Sequence, residues 1–392
     1  MNFNYHIPTK ILFGKGKLEE LSKIELPGKK ALLVISNGKS MKRYGYLDKV
    51  ISLLNENGIT LIVYDKILSN PIKLHVMEGS KLARDENCDF IIGLGGGSTI
   101  DSAKSIALMA KNPGDYWDYI NGGTGLNKKV LNGALPIIAI TTTAGTGTDI
   151  DPWTVITNEK TNEKIGFGIT ETFPIISIID PNLMLSIPPI LTAYQGFDSL
   201  FHAVEGYIAK VATPLSDIYA LKSIELITKY LPLAVNDGNN IEARTNLALA
   251  SILSGMVEST SSCTSEHSME HSLSAYNPNL PHGAGLIMLC ESYYKFFASK
   301  IPDRFITMAK TMGENVSSLP IEEKPYAFIT ALIKLMKACN VDNLKMSDYS
   351  IKENEIETLA KNAISTMGNL FEVDRYTLSL DETINIMKKS YK

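Results

Sequence analysis

The hydrophobic pattern changes character part-way along the chain. Over residues 1–185, short β-branched runs alternate with amphipathic stretches. Runs at 31–36, 60–64, 90–94, 136–141, 153–157 and 175–179 predict strands, and the segments 41–57, 73–86 and 98–111 predict helices between the early ones. The runs are continuously apolar rather than alternating, which is the pattern of strands covered on both faces. Strand–helix alternation of this kind predicts a parallel sheet with helices packed on it. After Pro188-Pro189 the period becomes helical, over 191–209, 215–231, 241–256, 326–338 and 351–363. The pattern predicts two domains: a doubly wound α/β domain over 1–187 and an all-α domain over 188–392.

Composition narrows the function classes. The 392 residues include 38 basic and 42 acidic side chains, a net charge of −4, and 44% are hydrophobic. This is ordinary globular usage, unlike that of a disordered or collagen-like chain. No basic surplus points to nucleic acid. The apolar runs are a few residues long, against the roughly 20 needed to cross a bilayer. The amino-terminal stretch lacks the basic start and apolar block of a secretory signal. Cys88, Cys263, Cys290 and Cys339 are far apart and form no CxxC pair, as expected in a reducing compartment. A cytoplasmic protein without a nucleic-acid or membrane partner is expected.

Three clusters carry candidate chemistry. The strand at 90–94 runs into Gly95-Gly96-Gly97-Ser98 and directly into a predicted helix. Glycines allow close backbone approach, and a helix N-terminus favours an anion, so this turn is a candidate diphosphate cradle. Ser98 is placed to cap the helix or to donate to a phosphate. The strand at 136–141 ends in Thr142-Thr143-Ala144-Gly145-Thr146-Gly147-Thr148-Asp149, with hydroxyls gathered where open α/β sheets bind ligands. Four of the six histidines (His202, His267, His271 and His282) lie within one stretch of the second domain, and Asp198 precedes His202 by one helical turn. Several imidazoles with one carboxylate suit a divalent cation such as Fe²⁺ or Zn²⁺. A nicotinamide dinucleotide beside such a cation has the parts needed to interconvert an alcohol and an aldehyde.

The order of the motifs resembles the iron-containing (group III) alcohol dehydrogenase family along essentially the whole chain. The resemblance rests on PTKILFGKGKLEEL (8–21), GGGSTIDSAKSIA (95–107), PIIAITTTAGTGTD (136–149), IIDPNLMLSIPP (178–189), GFDSLFHAVEGY (196–207) and HSMEHSLSAYNPNLPHGAG (267–285). It implies the fold that this family shares with dehydroquinate synthases, metal ligands at Asp198, His202, His267 and His282, and a proton-transfer or positioning role for His271. It places cofactor contacts at Asn70, Gly96, Gly97, Ser98, Thr142, Thr143, Thr146, Val155, Lys164 and Leu183. It also implies a homodimer and a small alcohol or aldehyde substrate. The threonine loop departs from the family's common Gly-Ser-Glu ending, reading Gly147-Thr148-Asp149.

Cofactor choice is read from the turn after the first predicted strand. An acid there would accept hydrogen bonds from a ribose 2′-hydroxyl and repel a 2′-phosphate. The chain offers Asn37, Gly38, Lys39 and Ser40 instead, with no acid before Asp48. NADP(H) is therefore expected to be accepted, with NAD(H) as the alternative. The other readings are a glycerol dehydrogenase-like polyol enzyme, a dehydroquinate synthase-like lyase and a non-catalytic cofactor-binding scaffold.

Overall fold

The structure, a computed structural model, describes residues 2–392. They form two compact units, Ile7–Ser186 and Ile187–Lys392. Residues 2–6, which the sequence pattern places in the first domain, group with the second unit instead, where the Tyr5 and Tyr219 hydroxyls lie 3.4 Å apart.

The first unit is built on β1 (Lys10–Phe13), β2 (Lys30–Ser36), β3 (Thr60–Ile67), β4 (Phe90–Gly95), β5 (Ile137–Thr141), β6 (Thr154–Asn158), β7 (Glu163–Phe167) and β8 (Ile176–Ile179). Its helices are α1 (Ser40–Arg43), α2 (Tyr46–Glu56), α3 (Lys73–Asp85) and α4 (Gly97–Lys111). Six strands form one parallel sheet in the order β1-β8-β5-β4-β2-β3. Every residue of β4 and β5 is buried, as the uninterrupted apolar runs require when both faces are covered. The chain runs from β2 out to β3 and returns to the other side of β2 with β4. Strand order therefore reverses between β2 and β4, and crevices at the carboxyl ends of such a pair are where open α/β sheets bind ligands.

Two differences from the sequence pattern have local causes. The stretch at 153–157 does not join the parallel sheet. As β6 it pairs antiparallel with β7, in register Thr154↔Phe167 and Ile156↔Ile165. An antiparallel partner needs only a tight turn, whereas a parallel one needs a long crossover, and Asn162 supplies the turn with a φ of 52°. β1, which the pattern does not reveal, is four residues long and pairs only with β8 at the sheet edge.

The second unit is helical, with α5 (Pro189–Ile208), α6 (Pro214–Asn236), α7 (Ile241–Thr260), α8 (Ser265–Tyr276), α9 (His282–Ala298), α10 (Pro302–Thr311), α11 (Ala327–Ala338), α12 (Ile356–Glu372) and α13 (Leu380–Ser390). α5 starts with Pro189 in its first turn, where the missing N–H costs no hydrogen bond. From Gly196 to Ile208 it is buried on all sides. Phe197 and Phe201 face one another at 5.9 Å, and Phe201 stacks on Tyr294 at 5.7 Å. These aromatic contacts fix the rotation of α5, and with it the direction taken by the neighbouring Asp198 and His202. α8 is buried from Ser265 to Ala275 although much of it is polar. It is accommodated because Ser268 donates to the Ala363 carbonyl and Ser272 to the Leu359 carbonyl, both on α12. Among the described residues no helix is long and apolar enough to cross a membrane.

Candidate functional site

The helical unit gathers the expected acid and imidazoles. α5 supplies Asp198 and His202 one turn apart, α8 supplies His267, and α9 begins at His282. Asp198 Oδ1 lies 3.6 Å from His202 Nε2, 3.8 Å from His267 Nε2 and 3.4 Å from His282 Nε2. One ligand atom from each of the four residues falls within 4.8 Å of all the others. The His202 and His267 rings are stacked, with centroids 4.4 Å apart. Asp198 Oδ1 and His267 Nε2 are buried and make no hydrogen bond. A buried polar atom without a partner is costly, and two of them facing each other across this gap fit a cation bound between them. One carboxylate oxygen and three imidazole nitrogens are donors that Fe²⁺ and Zn²⁺ both accept.

The electrostatics agree. Burial opposes ionisation of Asp198, but the charges of His202 and His282 and the nearness of the His267 ring outweigh it, holding the carboxyl well below its ordinary range. Burial also opposes charge on His202, yet Glu258 and Asp198 raise its pKa. The site therefore favours positive charge on its imidazoles or between them.

Three buried acids that sequence reasoning missed stand behind these rings. Glu205 contacts His267 Nδ1, Glu270 contacts His282 Nδ1, and Glu258 Oε1 is 2.9 Å from His202 Nδ1. Spacing along the helices is no guide to these pairs: Glu205 follows His202 by three residues but contacts His267, and Glu270 follows His267 by three but contacts His282. His271 follows His267 by one turn on α8. Its ring centre is 5.4 Å from that of His282 and 6.2 Å from that of His267. Its Nδ1 is 3.0 Å from Met367 Sδ, at the position where α12 leaves helical geometry.

In the α/β unit most of the expected cofactor residues meet around the end of β4. Gly95 pairs with Thr141 across β4 and β5, so the glycine turn and the threonine loop leave the sheet side by side. A Cβ on Gly96 would come 2.9 Å from Thr143 Cγ2, and one on Gly97 would come 2.4 Å from Thr146 Cγ2. Glycine is what lets the two turns touch. α4 begins at Gly97 without a side-chain cap, leaving its first N–H groups for an anion. The Ser98 hydroxyl does not cap the helix but donates to the Ser69 carbonyl. That contact brings in the segment carrying Asn70, whose Oδ1 accepts from Lys164 Nζ at 3.3 Å. The Thr142 amide donates to the Gly95 carbonyl, and the Val155 amide to Asp101 Oδ2 at 2.9 Å.

Asn37, Gly38 and Ser40 are exposed at the carboxyl end of β2, where the Asn37 amide donates to the Ile67 carbonyl at the end of β3. Leu183 is 4% exposed and belongs to the apolar cluster with Ile178 and Leu94, the residue before the glycine turn.

A buried network that the sequence reading also missed braces this region. Lys104 Nζ, on α4, donates to Thr148 Oγ1 at 2.7 Å and to the Asp151 and Trp153 carbonyls, both at 2.8 Å, while Thr148 Oγ1 donates to Asp101 Oδ1 at 2.6 Å. The network ties the threonine loop to the helix that starts at the glycines.

Residues 8–181 match the family model for iron-containing alcohol dehydrogenase, and residues 192–391 match the model for the C-terminal part of the Fe-containing alcohol dehydrogenase family. The chain belongs to the iron-containing alcohol dehydrogenase family. It is 35% identical over 376 residues to the 1,3-propanediol dehydrogenase of Citrobacter freundii, covering 95% of each chain. It is 32% identical over 370 residues to the NAD-dependent methanol dehydrogenase of Bacillus methanolicus, covering 92% of this chain and 93% of that one. Among solved structures, an archaeal halo-thermophilic alcohol dehydrogenase from a Red Sea brine pool aligns with a TM-score of 0.94 at 32% identity, over 100% of this chain and 99% of the other. A 1,3-propanediol oxidoreductase aligns at 0.90 with 32% identity over the whole of both. The α/β-plus-helical fold expected from the sequence is the one observed. The protein is an alcohol dehydrogenase, an oxidoreductase whose family implies a bound metal and a nicotinamide cofactor.

The shortened acid of the threonine loop has a consequence for stability. Burial pushes the Asp149 carboxyl up to about 7, with the Asp151 charge adding to it and a backbone hydrogen bond and Lys104 pulling the other way. The folded chain keeps this proton at pH values where the unfolded chain, with an aspartate pKa of about 3.9, has released it. The group's stabilising contribution is complete below about pH 4 and is lost as pH rises through about 7. An Asp149→Asn variant stays neutral throughout. Its stability relative to wild type should rise between about pH 4 and 7 in urea titrations, and a difference that does not change with pH contradicts this.

Proposed function

We propose that the protein interconverts a small primary alcohol and its aldehyde by reversible hydride transfer, with Fe²⁺ held by Asp198, His202, His267 and His282. The observation that carries the reading is the convergence of these four donors with Asp198 Oδ1 and His267 Nε2 buried and without hydrogen bonds. When bound, the cation polarises the substrate oxygen and the nicotinamide gives or takes the hydride.

The chain's own residues do the rest. The N–H groups opening α4, beside Gly96 and Gly97, bind the cofactor diphosphate, with Ser98 and the hydroxyls of Thr142, Thr143 and Thr146 around it. Lys164 and Asn70, already paired, and Val155 hold the remainder of the dinucleotide. Leu183 belongs to this set as well. His271 moves the proton that accompanies hydride transfer, at Nε2, because a thioether facing Nδ1 is a poor proton acceptor.

The relatives named for 1,3-propanediol and methanol support a small primary alcohol. Fe²⁺ rather than Zn²⁺ follows the family. A homodimer in the cytoplasm completes the reading and rests on the resemblance and composition alone. Intact donors at all four positions favour an enzyme over a cofactor-binding scaffold.

Elemental analysis and aldehyde reduction, measured on anaerobically purified protein, test the assignment. His267→Ala and His282→Ala should lose bound metal and activity together, by an order of magnitude or more. His271→Gln should keep the metal while lowering kcat and altering the pH profile. Full activity in a metal-free variant contradicts the reading.

NADP(H) is the proposed preference. The turn with Asn37, Gly38 and Ser40 is exposed and carries no acid, and the neighbouring Asp65 is engaged by Lys42 Nζ at 2.9 Å. kcat/KM should be higher with NADPH than with NADH, and a strong NADH preference means that the turn reads the ribose in another way.

A further inference from the structure

Each imidazole of the cage has two ring nitrogens, and in all three rings the one turned away from Asp198 meets a buried glutamate. His267 Nδ1 is bonded to Glu205 Oε1 and His282 Nδ1 to Glu270 Oε2. Glu258 Oε1 stands 2.9 Å from His202 Nδ1. We propose that Glu205, Glu258 and Glu270 are positioning residues of the metal site. Glu205 and Glu270 each take the Nδ1–H of one imidazole and Glu258 faces that of the third, so that they favour the tautomer with a bare Nε2 and set how tightly and for how long the cation is held. This assignment rests on the metal reading above and adds three residues to it.

The surroundings of the glutamates support the role. Glu205 and Glu270 have no solvent exposure, and a buried carboxylate is tolerated only where it is paired and hydrogen-bonded. Glu205 uses its other oxygen to accept from the Thr264 amide at 2.6 Å and the Thr264 hydroxyl at 2.8 Å. It is thereby locked to the residue that precedes α8, the helix carrying His267.

Glu270 has a place made for it by Gly285, one turn into α9 from His282. A Cβ there would come 2.7 Å from Glu270 Cγ. The HisGlyAlaGly segment at 282–285 thus supplies a ring and the space for the acid that orients it. Glu258 is less well aligned, since neither Glu258 Oε1 nor His202 Nδ1 makes a hydrogen bond despite their separation. Its effect should be the smallest of the three. Carboxylates bonded to the far nitrogen of a ligating histidine orient the ring and raise its basicity, and removing one typically weakens metal binding about 10–100-fold.

The test uses the full-length protein stripped of metal and titrated with Co²⁺ against a chromophoric chelator, following the visible ligand-field absorption. Wild type should take up one Co²⁺ per chain. Glu205→Ala and Glu270→Ala should bind it about 10–100-fold more weakly and release it faster, and Glu258→Ala should show a smaller loss. Glu205→Gln and Glu270→Gln should recover part of the affinity, because an amide oxygen still accepts from Nδ1–H while the charge is gone. A purely structural role predicts no such graded rescue. Thermal melts of the metal-free variants separate lost folding from lost binding. If the alanine variants do not fold, the glutamine variants decide by their release rates. Uptake by wild type with variant affinities and release rates within about two-fold of it overturns this assignment alone. No uptake by wild type overturns the metal reading and this assignment with it.

Discussion

A carboxylate oxygen buried without a hydrogen bond is among the costliest atoms a folded protein can carry, and Asp198 Oδ1 is such an atom. Three imidazole nitrogens lie within 3.8 Å of it, so the helical unit concentrates donors where an apolar core would cost less. The arrangement is stable in one natural way, with a divalent cation taking the place of the missing hydrogen bonds. The packing of the unit serves that point. The aromatic contacts of Phe197 and Phe201 fix α5 in rotation, and α8 crosses the interior as a polar helix because its serines bond to carbonyls of α12.

Under the proposed function the α/β unit answers a different physical demand, the binding of a diphosphate. Backbone N–H groups at the start of α4 have no side-chain cap, at the sheet position where strand order reverses. They are approachable because Gly96 and Gly97 carry no Cβ to collide with Thr143 and Thr146. Lys104 fastens the threonine loop to α4 from beneath, so the two turns behave as one preorganised surface. On the proposed reading, one unit contributes a place for the redox cofactor and the other a place for the Lewis acid.

Much of this is legible in the amino-acid sequence, for identifiable reasons. Buried parallel strands leave continuous apolar runs, so β2, β4, β5 and β8 stand out. The ribbon of β6 and β7 does not, because a single apolar run cannot reveal whether its partner is parallel or antiparallel. β1 is too short to have a pattern. The four candidate metal donors could be singled out because histidine is rare and clustered. Glu205, Glu258 and Glu270 could not, because glutamate is common on helices and its usual place is in water. Only the burial of α8, whose polar sequence resembles that of an exposed helix, shows that Glu270 is an interior residue. Leu183 has no pattern of its own to mark it, since it is one apolar residue of the core and only the family likeness places it at the cofactor.

The central claim is that Asp198, His202, His267 and His282 close around a single cation. It is tested most directly by anomalous X-ray diffraction at the iron and zinc absorption edges, on crystals of anaerobically purified protein. One peak per chain among these four side chains, strongest at the iron edge, is the result expected. A peak at other residues, or no peak in crystals of active enzyme, would contradict it.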